Sequence, residues 1–137
     1  VQEPVRLPAR GVNVLVAEDN TLNYEIVVEQ LSSYGLHCRR AKDGRDCVRQ
    51  FERSQPGEID IILMDMQMPE MNGLEATAAI RALARPDAKE IPIIALTANA
   101  YQEDVQRCLD AGMNAHLSKP IHVDRAVRTI AECLKKE

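Results

Sequence analysis

The chain has 137 residues, with 17 basic against 21 acidic side chains and a net charge of −4. That length fits one domain with a core of its own, and 45% hydrophobic with 28% charged residues is an ordinary globular composition. An acidic balance with one Phe, no Trp and three Tyr disfavours direct nucleic-acid binding, and no apolar run approaches the roughly 18 residues of a membrane helix.

Residues 1–11 read as a tail or linker, broken by Pro4, Pro8 and Gly11 and punctuated by Arg6 and Arg10; the folded unit is expected over residues 12–137. Asn13 to Ala17 is an apolar run of strand length. Thr21 to Tyr34 reads as a helix with Leu22, Ile26 and Leu31 on its inner face and Gly35 as its stop. Leu36 to Ala41 is a weaker strand, and Asp43 to Arg53 a short helix with Val48 and Phe51 inward. Ile59 to Met64 is the strongest strand signal, rich in β-branched residues. Asn72 then caps a helix carrying Ala76, Ile80, Leu83 and Ala84 at helical spacing. Ile91 to Leu96 follows as a strand with Pro92 near its start, and a helix from Glu103 to Ala111 is stopped by Gly112. A short strand, Ala115 to Ser118, leads into a last helix striped by Val123, Ala126, Val127, Ile130, Ala131 and Leu134. Cys38, Cys47, Cys108 and Cys133 form no CxxC pair and have no histidine at zinc-ligand spacing. They read as reduced, small hydrophobic residues of a cytosolic protein.

Strand then helix, five times over, predicts a single (βα)5 α/β domain with a parallel sheet covered on both faces. In such a sheet, function collects at the C-terminal strand ends. Glu18, Asp19 and Asn20 follow the first strand, Asp65 the third, Thr97 the fourth, and Lys119 and Pro120 the fifth. Three carboxylates held together repel one another and call for a cation; oxygen-only ligands favour a hard ion, Mg2+ or Mn2+. With a lysine and a threonine beside it, the cluster suits a phosphoryl group, whose transfer needs mainly positioning and charge neutralisation. Asp65, on the central strand, is the natural nucleophile, since carboxylates form aspartyl phosphates.

Four motifs carry a resemblance: Glu18-Asp19-Asn20, Leu63-Met64-Asp65-Met66-Gln67-Met68-Pro69 with Gly73, Ala95-Leu96-Thr97-Ala98-Asn99-Ala100, and Leu117-Ser118-Lys119-Pro120. In this order, over about Val12 to Leu134, they resemble the receiver domain of two-component response regulators, and in wording the receivers fused to hybrid sensor histidine kinases. The resemblance implies a flavodoxin-like, doubly wound sheet of strand order 2-1-3-4-5. It implies that Asp65 accepts a phosphoryl group from a phosphohistidine on a histidine kinase or histidine phosphotransfer domain. Glu18, Asp19, Asp65 and the backbone carbonyl of Gln67 would hold Mg2+ (or Mn2+). Thr97 and Lys119 would bind the phosphoryl group, with a cis Lys119–Pro120 peptide. Thr97, the helix from Glu103 to Ala111 and the last strand and helix would then shift between two packings.

The family usually has Tyr or Phe three residues before the lysine, as its switch residue; here it is His116. An imidazole there reads either as a pH-dependent switch or, in the preferred reading, as a partly exposed side chain filling the same groove. Gln67 and Asn99, two beyond Asp65 and Thr97, are expected to tune phosphate hydrolysis, and Glu18 in place of a second Asp keeps a carboxylate with longer reach. Met66, Met68 and Met71 read as packing and loop residues, and His37 and His122 as surface residues. On the first helix, Tyr24, Val27, Val28 and Leu31 are not all absorbed by one core stripe, and the resemblance makes that helix the docking face. Three other readings compete: a freestanding single-domain regulator, a receiver-like scaffold that takes no phosphate, and an Asp-nucleophile phosphohydrolase, whose usual DxD is missing. A cytoplasmic location is expected, with or without a membrane-anchored parent, as a monomer or weak dimer.

Overall fold

The computed structural model describes residues 11–68, 70–98 and 102–134, with 102–104 as backbone only. The expectations for residues 1–10, Pro69 and Asn99 lie outside them. Five strands alternate with five helices: β1 (Val12–Ala17), α1 (Thr21–Ser32), β2 (Leu36–Ala41), α2 (Gly44–Arg53), β3 (Ile61–Asp65), α3 (Gly73–Arg81), β4 (Ile93–Thr97), α4 (Gln102–Asp110), β5 (Ala115–Ser118) and α5 (Val123–Leu134). All strand pairs are parallel, in the order β2-β1-β3-β4-β5, with Val16 opposite Leu63, Met64 opposite Ala95 and Leu96 opposite Leu117. This is the expected doubly wound receiver-type sheet, its chain order reversing between β1 and β3.

The period of two along each strand divides the core into two layers. Leu15, Ile62, Met64, Ile93 and Ala95 face one side with Cys47 and Phe51 of α2, Ala76 and Ile80 of α3, and Cys108 of α4. Val14, Val16, Ile61, Leu63, Leu96 and Leu117 face the other with Val27 and Leu31 of α1 and Ala126, Val127 and Ile130 of α5. β3 and β4 are buried along their whole lengths, which is why they read as uninterrupted apolar runs.

Several element boundaries and one helix face depart from expectation. The inner face of α1 is formed by Val27 and Leu31, with Tyr24 and Val28 half-buried, while Leu22 and Ile26 are 64% and 45% exposed. Leu22 and Leu31 are half a turn out of phase on a helix, so no single stripe holds both. In α2 the buried residues are Gly44, Cys47 and Phe51, with Val48 half-buried. β3 starts two residues late because Asp60 pairs with β1 through its side chain: Asn13 N donates to Asp60 Oδ2 at 2.8 Å, and Asp60 N to Asn13 O. β4 starts only at Ile93, past Pro92, which has no N–H to give but whose carbonyl accepts from Ile62 N. α3 ends at Arg81, leaving Ala84 exposed beyond it, and Pro86–Lys89 forms a short 3-10 turn that has too few residues to show a period.

Candidate functional site

Each site residue is delivered by the end of a strand. Glu18 continues β1 by one more backbone bond, Glu18 N to Ala41 O at 3.0 Å, and Asp19 follows it. Asn20 then caps α1, its side chain accepting from Asn23 N at 2.9 Å. Asp65 is the last residue of β3 and Thr97 the last of β4. Lys119 follows β5, its N–H donating to Thr97 O at 2.8 Å, and the Lys119–Pro120 peptide is cis. Gly73 allows the turn after Asp65 to close: its N–H donates to Met66 O, and a Cβ there would stand 2.5 Å from Asp65 O. The Asn72–Glu75 capping box fixes the start of α3 on the other side of that turn.

Glu18, Asp19 and Asp65 bring one carboxylate oxygen each within 4.8 Å of one another. Glu18 and Asp65 are buried, and Asp19 is open to solvent. Lys119 Nζ donates to Asp65 Oδ2 at 2.9 Å and stands 3.6 Å from Glu18 Oε1. The other Asp65 oxygen, Oδ1, accepts from Gln67 N at 3.2 Å. Burial, followed by the Asp65 carboxyl beside it, pushes Glu18 up to about 7. Lys119 is also desolvated, but its hydrogen bond to Asp65 and the charges of Asp65 and Glu18 outweigh that and hold it above the ordinary lysine value.

A cleft of about 650 Å3 opens beside Asp65 and Lys119, lined by Asp65, Met66, Gln67, Met68, Asn72, Leu74, Thr97, Ala98, Arg107 and Lys119. Sequence reasoning missed Asn72, Leu74 and Arg107 as lining residues. They come from α3, its cap and α4, whose spacing in sequence gives no sign that they reach the strand-end edge. It also missed Arg40 on β2, whose guanidinium bonds the turn carrying Glu18 and Asp19. His116 lies inside β5 opposite Ala95, half-buried, and does not line the cleft.

The donor set fits a hard divalent cation. Its side-chain donors are three carboxylates, and among the described residues Glu18 Oε2 and Thr97 Oγ1 are buried without a hydrogen-bond partner. Buried polar atoms are rarely left so, and Mg2+ or its water would satisfy the acid.

The comparisons with known proteins agree with this geometry. The model of the response regulator receiver domain matches residues 14–131. The sensor histidine kinase RcsC of Salmonella typhi is 38% identical over 118 residues, which are 86% of this chain and 12% of RcsC. The chain therefore spans a small part of that relative. A receiver domain of a Pseudomonas aeruginosa PAO1 sensor histidine kinase, solved with magnesium ion coordinated in its active site cleft, is 38% identical with a TM-score of 0.81, over 92% of this chain and 99% of that one. The receiver of the Saccharomyces cerevisiae response regulator Ssk1, co-crystallised with the histidine phosphotransfer protein Ypd1, is 28% identical with a TM-score of 0.78, over 93% of both chains. With four strand-end motifs, the 2-1-3-4-5 sheet and the acidic cluster in place, this chain belongs to the response regulator receiver domain family of phosphorelay signalling.

Proposed function

We propose that this domain takes a phosphoryl group onto Asp65 from a phosphohistidine of a histidine kinase or a histidine phosphotransfer domain, as the receiver module of a hybrid sensor histidine kinase. The observation that carries the reading is the Asp65 carboxylate: 5% exposed at the end of the central strand, with Lys119 on one oxygen and two further carboxylates beside it. An Asp65 oxygen attacks phosphorus, the O–P bond forms as the donor N–P bond breaks, and the electron pair stays on the imidazole nitrogen. Lys119 balances charge on the incoming group, and the buried Thr97 hydroxyl turns to donate to one of its oxygens. Glu18, Asp19, Asp65 and the Gln67 carbonyl would hold Mg2+, which when bound supplies neutralisation of phosphoryl charge. The added negative charge favours whichever packing of Thr97, α4, β5 and α5 stabilises it more, so the domain switches between two conformations. His116 fills the groove beside β5 in that switch. The reading includes a cytoplasmic location, where histidine kinases draw on ATP.

Transfer from a radiolabelled phosphohistidine donor in Mg2+ tests it. Label passes from a histidine phosphotransfer protein to the wild-type chain and not to Asp65→Asn. Label that stays on the donor with folded wild type, or that reaches Asp65→Asn equally, overturns it.

A further inference from the structure

Arg40 is spent almost wholly on one turn of the chain. From β2, its Nε donates to Glu18 O at 3.1 Å, its Nη2 to Asp19 O at 2.9 Å, and its Nη1 to Thr21 Oγ1 at 3.0 Å. The guanidinium carbon lies 5.6 Å from the centre of the Tyr24 ring, one turn into α1. Arg40 is itself held from α2, because Gln50 Nε2 donates to its carbonyl at 2.8 Å. The planar fork thus grips the backbone of both residues whose carboxylates cluster with that of Asp65.

We propose that Arg40 is a positioning residue for the divalent cation: by bonding the carbonyls of Glu18 and Asp19 it fixes the direction of their side chains toward Asp65. The proposal rests on the reading of Glu18, Asp19 and Asp65 as a cation site. Neither carbonyl is held by the β1–β2 ladder past Ala17 and Ala41, the last residues in register, so the guanidinium replaces the sheet where the sheet stops. Lysine keeps the charge but cannot make the three directed bonds. Groups that orient metal ligands from outside the first layer commonly change affinity by 10- to 100-fold.

The charge of Arg40 acts the other way. A fixed cation close to an acidic cluster repels a second cation, so on electrostatics alone its removal tightens metal binding. Positioning and charge therefore predict changes of opposite sign. The neighbouring Arg39 supplies a control of equal charge, since its side chain points to the other face of β2 and pairs with the exposed Glu58 at 2.9 Å.

The test is Mg2+ titration by calorimetry on wild type, Arg40→Lys, Arg40→Gln, Arg39→Gln and Asp19→Asn, with melting curves of each in EDTA. Arg40→Lys and Arg40→Gln should both weaken Mg2+ binding by about tenfold or more. Arg39→Gln should stay near wild type, and Arg40→Lys should melt close to wild type in EDTA. If Arg40→Gln does not fold, Arg40→Lys alone decides. Unchanged or tighter Mg2+ binding in the Arg40 variants, with wild type binding and Asp19→Asn not, overturns the positioning role and leaves the cation site standing. Wild type binding no Mg2+ at all overturns the cation site and this proposal with it.

Discussion

Replacing Glu18 with Gln should stabilise the metal-free domain, although it removes a buried site residue. Glu18 is 2% exposed, and burial and the neighbouring Asp65 carboxyl raise it from 4.5 to about 7. A carboxyl raised in this way keeps its proton in the folded state over a range where the unfolded chain has released it. Stability therefore falls as pH rises from about 4.5 to about 7, and the full cost is present above that window. The difference between those values corresponds to roughly 3 kcal/mol. That value already contains the attraction of Lys119 Nζ at 3.6 Å, so about 3 kcal/mol should favour Glu18→Gln at pH 8. At pH 4, with Glu18 largely protonated in both states, the two proteins should differ by less than about 0.5 kcal/mol. Urea denaturation in EDTA, repeated from pH 4 to pH 8, reads the gap directly. A variant less stable than wild type at pH 8, or a gap that does not change with pH, would mean that an ionised Glu18 carries no such cost in the folded domain.

Mg2+ should reverse that slope. Its binding requires ionised Glu18, so the rise in melting temperature on adding Mg2+ should grow as pH passes through about 7 and fade well below it; a pH-independent rise contradicts this. Gly73→Ala places a Cβ against the Asp65 carbonyl, and the strain should cost roughly 1–3 kcal/mol in chemical denaturation and slow phosphorylation together. Leu31→Ala opens the α1 side of the core and should cost about 2–4 kcal/mol, whereas Leu22→Ala, on the exposed face of the same helix, should stay within about 0.5 kcal/mol.

Much of this fold could be read from local signals because each layer repeats a simple period. The runs Val14–Ala17, Ile61–Met64 and Ile93–Leu96 are apolar on both faces since helices cover both sides of β1, β3 and β4. The meeting of Glu18, Asp19, Asp65, Thr97 and Lys119 at one edge then follows from parallel strands, whose C-terminal ends lie together. What escaped depends on phase or on tertiary reach. Leu22 and Ile26 are apolar and close to Val27 in sequence, yet a rotation of more than a quarter of a turn puts them in solvent. Arg40 reads as an ordinary charged residue of an outer strand, and only the path of the turn after β1 brings two carbonyls to its fork. Arg107 reaches the cleft because α4 packs beside β5, a placement that no spacing in the sequence encodes.

Intact mass shows whether Asp65 is the phosphoacceptor. Wild type and Asp65→Asn are incubated with Mg2+, with and without an acyl phosphate. Wild type should gain one phosphate and Asp65→Asn none. Equal gain by Asp65→Asn, or no gain by wild type that is folded and binds Mg2+, would contradict that role.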